Sequence, residues 1–411
     1  MTSYRDSKAS LNAGRRRFLS GAAFWLAAIP GVRAVAGPEA ASERDPTVGV
    51  EVSGGRSGPI PFWIDRRFHI RVDVTINGVP ASAIIDSGAG RSVLDQGFAD
   101  RQGLAQRDGF SVAGVTGATT GTTVDRLEVQ IGSASIRGIS AGVLNLNAYS
   151  TPGDRTTDLI IGRDLFDDVA VSIDFERSTI ELAKNYRNSA PRSPGDALDV
   201  GPRGTPYIDI EVGDRTLSAA FDLGYNGSLI LSPDFVAETG LLVGRRVSTI
   251  ASAGAEGMSI SRLSTIPRIG IAGQTLHDVP LEIPATWARP RPGIVGLDIL
   301  KRFRITTDYR RRRVWLDPIA ALSSTPIPRD RSGIGATPNG SGLVVIHVAE
   351  GSPAQMSGLK VGDLIATING ERVDLPYILS HPRMGAQAAG TRYALGLGDG
   401  RILTVVLADY F

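Results

Sequence analysis

Residues 69–104 read HIRVDVTINGVPASAIIDSGAGRSVLDQGFADRQGL, and residues 207–241 read YIDIEVGDRTLSAAFDLGYNGSLILSPDFVAETGL. Each stretch opens with an apolar strand, turns at a tight polar corner and runs along a second strand into Asp86 or Asp222. A glycine-containing loop, a third apolar strand and a short helix ending in Gly-Leu follow in both copies. Short β-type runs broken by Gly, Asn and Asp are the pattern of hairpin-linked strands. The copies match again at their far ends, where LIIGRDLFDDVAVSIDF (Leu159–Phe175) aligns with GIVGLDILKRFRITTDY (Gly293–Tyr309). Gly162 corresponds to Gly296, Asp164 to Asp298 and Asp174 to Asp308. The offset is 136 residues at the Asp loops and 134 at these ends, so few insertions separate the two units. Two such lobes would pack with approximate two-fold symmetry, each offering its Asp loop to a shared cleft.

The rest of the composition agrees with a mainly β protein. The 411 residues suffice for two or three domains, with 42 % apolar and 21 % charged residues in the range of ordinary globular proteins. Forty-nine glycines and 24 prolines punctuate runs rich in Val, Ile, Leu and Thr. The absence of cysteine excludes disulfides, thiolate metal sites and a cysteine nucleophile. Polar, Pro- and Gly-rich stretches set the expected boundaries: a flexible leader over 37–58, lobe 1 over 59–184, a linker over 185–206, lobe 2 over 207–320 and a C-terminal module over 332–411. The run Arg310–Arg313 occupies the turn that Glu176–Thr179 fills in the first copy, so a solvated hairpin turn is expected there rather than a phosphate or lipid contact.

The N-terminus carries an export pattern. Arg15-Arg16-Arg17-Phe18-Leu19 precedes an apolar run from Gly21 to Val32, and Ala34-Val35-Ala36 supplies small residues for cleavage. The paired arginines before Phe-Leu resemble the bacterial twin-arginine signal, although Gly14 replaces the usual Ser or Thr and a third arginine is present. That resemblance implies a signal peptide over 1–36 and a periplasmic or secreted mature protein. The alternative is an uncleaved membrane anchor, for which the apolar run is short. Cleavage would remove six basic residues and Asp6, taking the net charge from +2 to −3. The basic balance thus belongs to the leader, and neither a nucleic-acid surface nor a stable membrane span after cleavage is expected.

The segment AIIDSGA (Ala83–Ala89), an apolar strand running into Asp, a hydroxyl residue and glycine, resembles the signature of retropepsin-like and pepsin-like aspartic peptidases. Leu159-Ile160-Ile161-Gly162 resembles the apolar-apolar-Gly element that packs beside the Asp loop in that family. Ala220-Phe221-Asp222-Leu223-Gly224 and Ile294-Val295-Gly296 take the same places in the second copy. The resemblance covers roughly residues 60–320 and implies an aspartic endopeptidase built from two fused lobes, with Asp86 and Asp222 as its catalytic pair. Peptide hydrolysis at such a pair needs one ionised Asp to take a proton from water and one neutral Asp to donate to the substrate carbonyl. Two carboxylates ~3 Å apart cannot both ionise, so they share a proton. Gly88 and Gly224 would leave room where a Cβ would intrude. In the family, the hydroxyl after Asp braces the pair, a role that falls to Ser87. Leu223 stands opposite it, so only one lobe can supply that hydroxyl. The bland alternative is that both aspartates only cap turns.

The family also closes a β-hairpin flap over the substrate. Gly114, Gly117 and Gly121 mark the candidate in lobe 1, and Gly254 lies in that of lobe 2 (Ala251–Gly257). Neither candidate has the aromatic residue of a pepsin-type flap, which brings the chain nearer the retroviral type; an ordinary mobile hairpin is the alternative. His69, His277, His347 and His381 show no ligand spacing, and no Gly-x-Ser-x-Gly or phosphate-loop motif occurs. No metal or cofactor is implied.

The C-terminal order GSPA…SGLKVGDLI…INGERV (Gly351–Val373) resembles the PDZ domains of bacterial periplasmic proteases, small α+β modules. Gly333, Ile334 and Gly335 stand where such domains place their carboxylate-binding loop, which implies capture of a C-terminal peptide ligand. A module that only packs against the lobes is the alternative. The whole reading is an exported endopeptidase acting on a peptide or protein substrate, without need of dimerisation. Its rival is a catalytically weak or inactive peptide-binding scaffold that keeps the fold, and a peptidase acting only on itself or one partner is a third possibility.

Overall fold

The computed structural model describes residues 48–150, 155–184, 196–200, 205–254 and 257–411. The expected signal peptide lies outside these residues. Among the described residues the fold is mainly β, in four sheets.

The repeat is realised as two sheets of identical strand order. In lobe 1 the path runs Ala134–Leu144, Val93–Asp95, Leu159–Ile161, Val79–Ile85, Ile70–Ile76, Ala118–Ile131 and Arg107–Ala113. In lobe 2 it runs Gln274–Ile283, Leu229–Leu231, Gly293–Val295, Arg215–Phe221, Pro206–Val212, Gly257–Ile271 and Ser248–Gly254. The central strand of each sheet is apolar on both faces, as in Ala83-Ile84-Ile85, because each is covered from both sides. The corner Asn77-Gly78 turns with both φ values positive (51° and 80°), the type I′ geometry that matches strand twist.

A third sheet joins the lobes. Ala170–Asp174 pairs antiparallel with Phe303–Asp308, matching Val171 to Thr307, Ser172 to Thr306 and Ile173 to Ile305. Ser172 and Thr306 are repeat equivalents and lie opposite each other, their hydroxyls 3.0 Å apart, so the pseudo-two-fold axis passes between them. The apolar cores of both lobes merge across this sheet into one continuous cluster. The C-terminal unit has its own core around Leu343, Ile365, Val373, Leu395 and Val405. It docks on lobe 2 through Ala349, Tyr410 and Phe411 against Leu263 and Ile250.

Two segments differ from expectation and a third agrees with it. The leader contributes a strand, Gly49–Val52, paired with Ala134–Leu144, because Val48 and Val50 alternate into the lobe 1 core. The linker holds two short strands: Asp196–Ala197 joins the central sheet and Asp199–Val200 joins lobe 2, with Leu198 buried between them. The arginine run forms the expected exposed hairpin turn, at Tyr309–Arg311 with Arg312 left-handed (φ 54°), and its side chains are engaged by Asp308, Asp199 and the Lys184 carbonyl.

Candidate active site

Asp86 and Asp222 stand one residue beyond the central strands Val79–Ile85 and Arg215–Phe221. The apolar-apolar-Gly elements run parallel beside those strands, pairing Ile161 with Ile85 and Val295 with Phe221. They catch the first loop amides: Asp86 N donates to Ile161 O (3.0 Å) and Asp222 N to Val295 O (3.1 Å). Asp86 Oδ1 accepts from the N–H groups of Gly88 (2.8 Å) and Ala89 (3.0 Å). Asp222 Oδ1 accepts from Gly224 (2.9 Å) and Tyr225 (3.0 Å). The two carboxyls meet where the lobes join, each lying against the glycine of the opposite loop.

Burial raises both carboxyls above the ordinary carboxylate range. The charge of Asp222 raises Asp86 further, while the loop N–H groups and Arg289 pull both back. One proton held between two carboxyls, with one charge spread over the pair, fits these opposing influences. The glycines make the approach possible. A Cβ on Gly88 would lie 2.5 Å from Asp222 Cγ, and one on Gly224 would overlap the Asp86 carboxyl. Gly162 and Gly296 are needed behind the loops, where a Cβ would strike Ala89 O and Gly227 O.

Ser87 reaches across the seam. Its Oγ donates to Phe221 O (2.8 Å) and accepts from Leu223 N (2.9 Å), so one hydroxyl closes two backbone groups of the opposite lobe. Leu223 offers no hydroxyl in return, and its fully buried side chain joins the common core. On that side Tyr309 OH donates to Ser87 O (3.4 Å), with the Tyr309 ring stacked on Phe166. Sequence reading missed Tyr309, because its partner is a carbonyl that any residue could supply.

Of the flap candidates, Gly114 and Gly117 form the lobe 1 hairpin tip (Gly114 N to Gly117 O, 2.9 Å). Gly121 lies inside the returning strand, opposite Phe110 where the register shifts, and not at the tip. In lobe 2, Gly254 ends the outgoing strand and pairs with Gly257, while residues 255–256 lie outside the described residues. The lobe 1 tip crosses to the other lobe. Val115 O accepts from Ala288 N (3.0 Å), Thr116 O accepts from Thr286 Oγ1 (3.4 Å), and the Val115 side chain packs against the lobe 2 cluster of Tyr207, Ala220, Ile230 and Ile294.

The loop 284–292 that receives the tip also carries Arg289, the second residue that sequence reading passed over. Its signal was a Trp-Ala-Arg segment between prolines, placed where lobe 1 has the longer loop 145–158. Tyr225, next to Gly224, is tied to the lobe 2 hairpin through Glu282: Tyr225 OH donates to Glu282 Oε2 (3.3 Å) and Ser252 Oγ to Oε1 (2.7 Å). Burial pushes the Glu282 carboxyl up.

Lobe 1 also meets the C-terminal unit beside the Asp222 loop. Arg71, fully buried, donates to Asp65 Oδ2 (2.8 Å), and Asp65 folds residues 65–69 into a tight turn by accepting from Arg67 N and His69 N. Burial opposes the Asp65 charge, but His69 and Arg71 outweigh it and hold the carboxyl well below its ordinary range. From this turn, Arg67 O accepts from Asn226 Nδ2 (2.6 Å), and Arg66 donates to the carbonyls of Leu379 and His381 at the end of the helix Leu375–Ser380. A groove of about 180 Å³ follows, lined by Ile334, Ile368, Tyr377, Ile378, Arg66 and Arg383.

The expected carboxylate loop departs from the sequence reading. Gly333 N donates to Asp330 Oδ2 (2.5 Å) and Ile334 N to Ser332 Oγ (3.2 Å), so two of its amides are taken by local side chains. Gly335 lies in the strand Ile334–Pro338, opposite His347. That strand is the edge of its sheet, open on its outer side among the described residues.

No group of side chains among the described residues could hold a metal ion, and no described helix is long and apolar enough to cross a membrane. Residues 72–167 match the family described as gag-polyprotein putative aspartyl protease, and residues 324–375 match the PDZ domain family. No curated protein matches the chain. The first match covers the lobe that holds Asp86, and the second covers the edge strand through the start of the groove helix. The chain carries a gag-like aspartyl-protease domain followed by a PDZ domain.

Proposed function

We propose that this protein is an exported aspartic endopeptidase whose Asp86–Asp222 pair activates water while its PDZ groove recruits or regulates by binding peptide. The observation that carries the reading is the meeting of two carboxyls from two lobes, each held by two backbone N–H groups and each faced by a glycine. The ionised member takes a proton from water lying between the carboxyls. The neutral member donates to the scissile carbonyl, and the roles exchange as the amine leaves. Ser87 is the positioning residue that keeps the loops in register. Both lobes lie in one chain, so the pair needs no dimer. The export signal at 1–36 is the basis for a periplasmic or secreted location.

Peptide recruitment would use strand addition on Ile334–Pro338 beside the helix Leu375–Ser380. Because Asp330 and Ser332 occupy two loop amides, main-chain pairing and the apolar groove would supply the affinity. The mature protein, incubated with a mixed peptide library from pH 3 to 7, is expected to create new termini. Asp86→Asn and Asp222→Asn would each abolish them. Peptide binding without cleavage at any pH would support the scaffold instead.

A further inference from the structure

Arg289 sits in the loop 284–292 that the flap tip touches, one residue after the Ala288 amide bound by Val115 O. The loop is tied to itself and to the core: Trp287 Nε1 donates to Arg291 O (3.0 Å), and Trp287 packs against the cluster of Tyr207, Ala220, Ile230 and Ile294. Its two arginines differ. Arg291 pairs with Asp199 (3.0 Å) and lies over the Tyr207 ring. Arg289 has a buried Nε with no hydrogen-bond partner, and no ion pair engages it among the described residues. The loop borders the strand that leads to Asp222, since Arg291 lies over Tyr207 and Tyr207 pairs with Ala220, and the Arg289 charge acts on Asp86, Asp222 and Tyr207. A buried donor without an acceptor is costly, and a guanidinium offers a planar fork suited to a carboxylate. The Asp carboxyls are already held by the amides of their own loops.

Among the described residues lobe 1 has no counterpart. Arg155, in the matching loop, is engaged by Asp73 and the Trp63 ring. A pair of near-symmetric Asp loops can accept a peptide in either direction, and one cationic side removes that ambiguity.

We infer that Arg289 is a specificity residue that binds a substrate carboxylate beside the scissile bond, either an acidic side chain or the free C-terminus of a peptide. This rests on the peptidase reading and names its substrate class.

The test uses peptide pairs identical except for Glu against Gln at each position flanking the cleaved bond, and a further pair differing in C-terminal acid against amide. For wild type, one pair is expected to differ by about 10- to 100-fold in kcat/KM in favour of the carboxylate. In Arg289→Gln that ratio should fall to about one, and Arg289→Lys should retain part of it. A response confined to the Glu/Gln pairs assigns a side chain, and one confined to the acid/amide pair assigns the terminus. Equal cleavage of every pair by wild type would overturn the inference. So would a ratio that survives Arg289→Gln while only the pH profile moves, since Arg289 would then be a counter-ion of the pair. If wild type cleaves nothing, the peptidase reading fails separately, and the same fluorescently labelled pairs are titrated by anisotropy. A carboxylate preference lost in Arg289→Gln would sustain the site, and equal affinities would remove it.

Discussion

Replacing Ser87 by alanine deletes one oxygen that serves two backbone groups of the opposite lobe. The Leu223 N–H (2.9 Å) and the Phe221 carbonyl (2.8 Å) both belong to residues with no exposed surface, so neither finds solvent when the hydroxyl goes. An orphaned buried polar group costs about 1–3 kcal/mol, which puts Ser87→Ala at about 2–6 kcal/mol. The damage falls on the Asp222 loop, because Leu223 and Phe221 flank that residue. A shift of about 1 Å in a reacting group costs on the order of 10²-fold in rate, so cleavage should fall at least that far. Urea unfolding followed by tryptophan fluorescence gives the stability change, and hydrogen exchange reports the Leu223 amide directly. Ser87→Thr keeps the oxygen and should recover most of the loss. An Ala variant within about 0.5 kcal/mol of wild type, with Leu223 still protected, would refute the bracing role, since an unaffected surface site behaves that way.

Gly224→Ala would drive a methyl into the Asp86 carboxyl; cleavage should drop by about 10²-fold or more, while the melting temperature falls only by the few degrees of a local overpacking. The folded-state Asp86 carboxyl titrates above its unfolded value, so its stability contribution is greatest below about pH 4 and declines as pH rises towards the folded value. Asp86→Asn should therefore melt higher than wild type at pH 7, with the two converging near pH 3 in differential scanning calorimetry. Asp65 has the opposite sign, a carboxyl held low by His69 and Arg71. Asp65→Asn should cost about 3–5 kcal/mol at pH 7, measured by urea unfolding, and the difference should shrink as pH falls below about 4. Arg66→Ala removes two donors from the end of the helix Leu375–Ser380, and hydrogen exchange there should quicken about 10-fold without loss of the PDZ core.

The two Asp loops, the glycines behind them and the PDZ order were legible because each is a local pattern. Strand alternation, a corner such as Asn77-Gly78 and an apolar pair before glycine are written in neighbouring letters, and the repeat writes most of them twice. The strand Gly49–Val52 was hidden by its glycine-rich surroundings, since four residues carry too short an alternation to stand out. The Asp330 and Ser332 contacts to the carboxylate loop were missed because either residue reads as an ordinary linker polar group.

By itself, the sequence determined that two equivalent lobes each present one Asp, and that only one lobe places a hydroxyl beside it. Tertiary structure alone decided that Ser87 braces the backbone around Leu223, that Tyr309 supports the other side, and that the flap tip rests on the loop bearing Arg289. The reason is physical. These contacts join residues more than 130 positions apart, and several end on backbone amides or carbonyls, which are identical in every residue and leave no mark in the sequence.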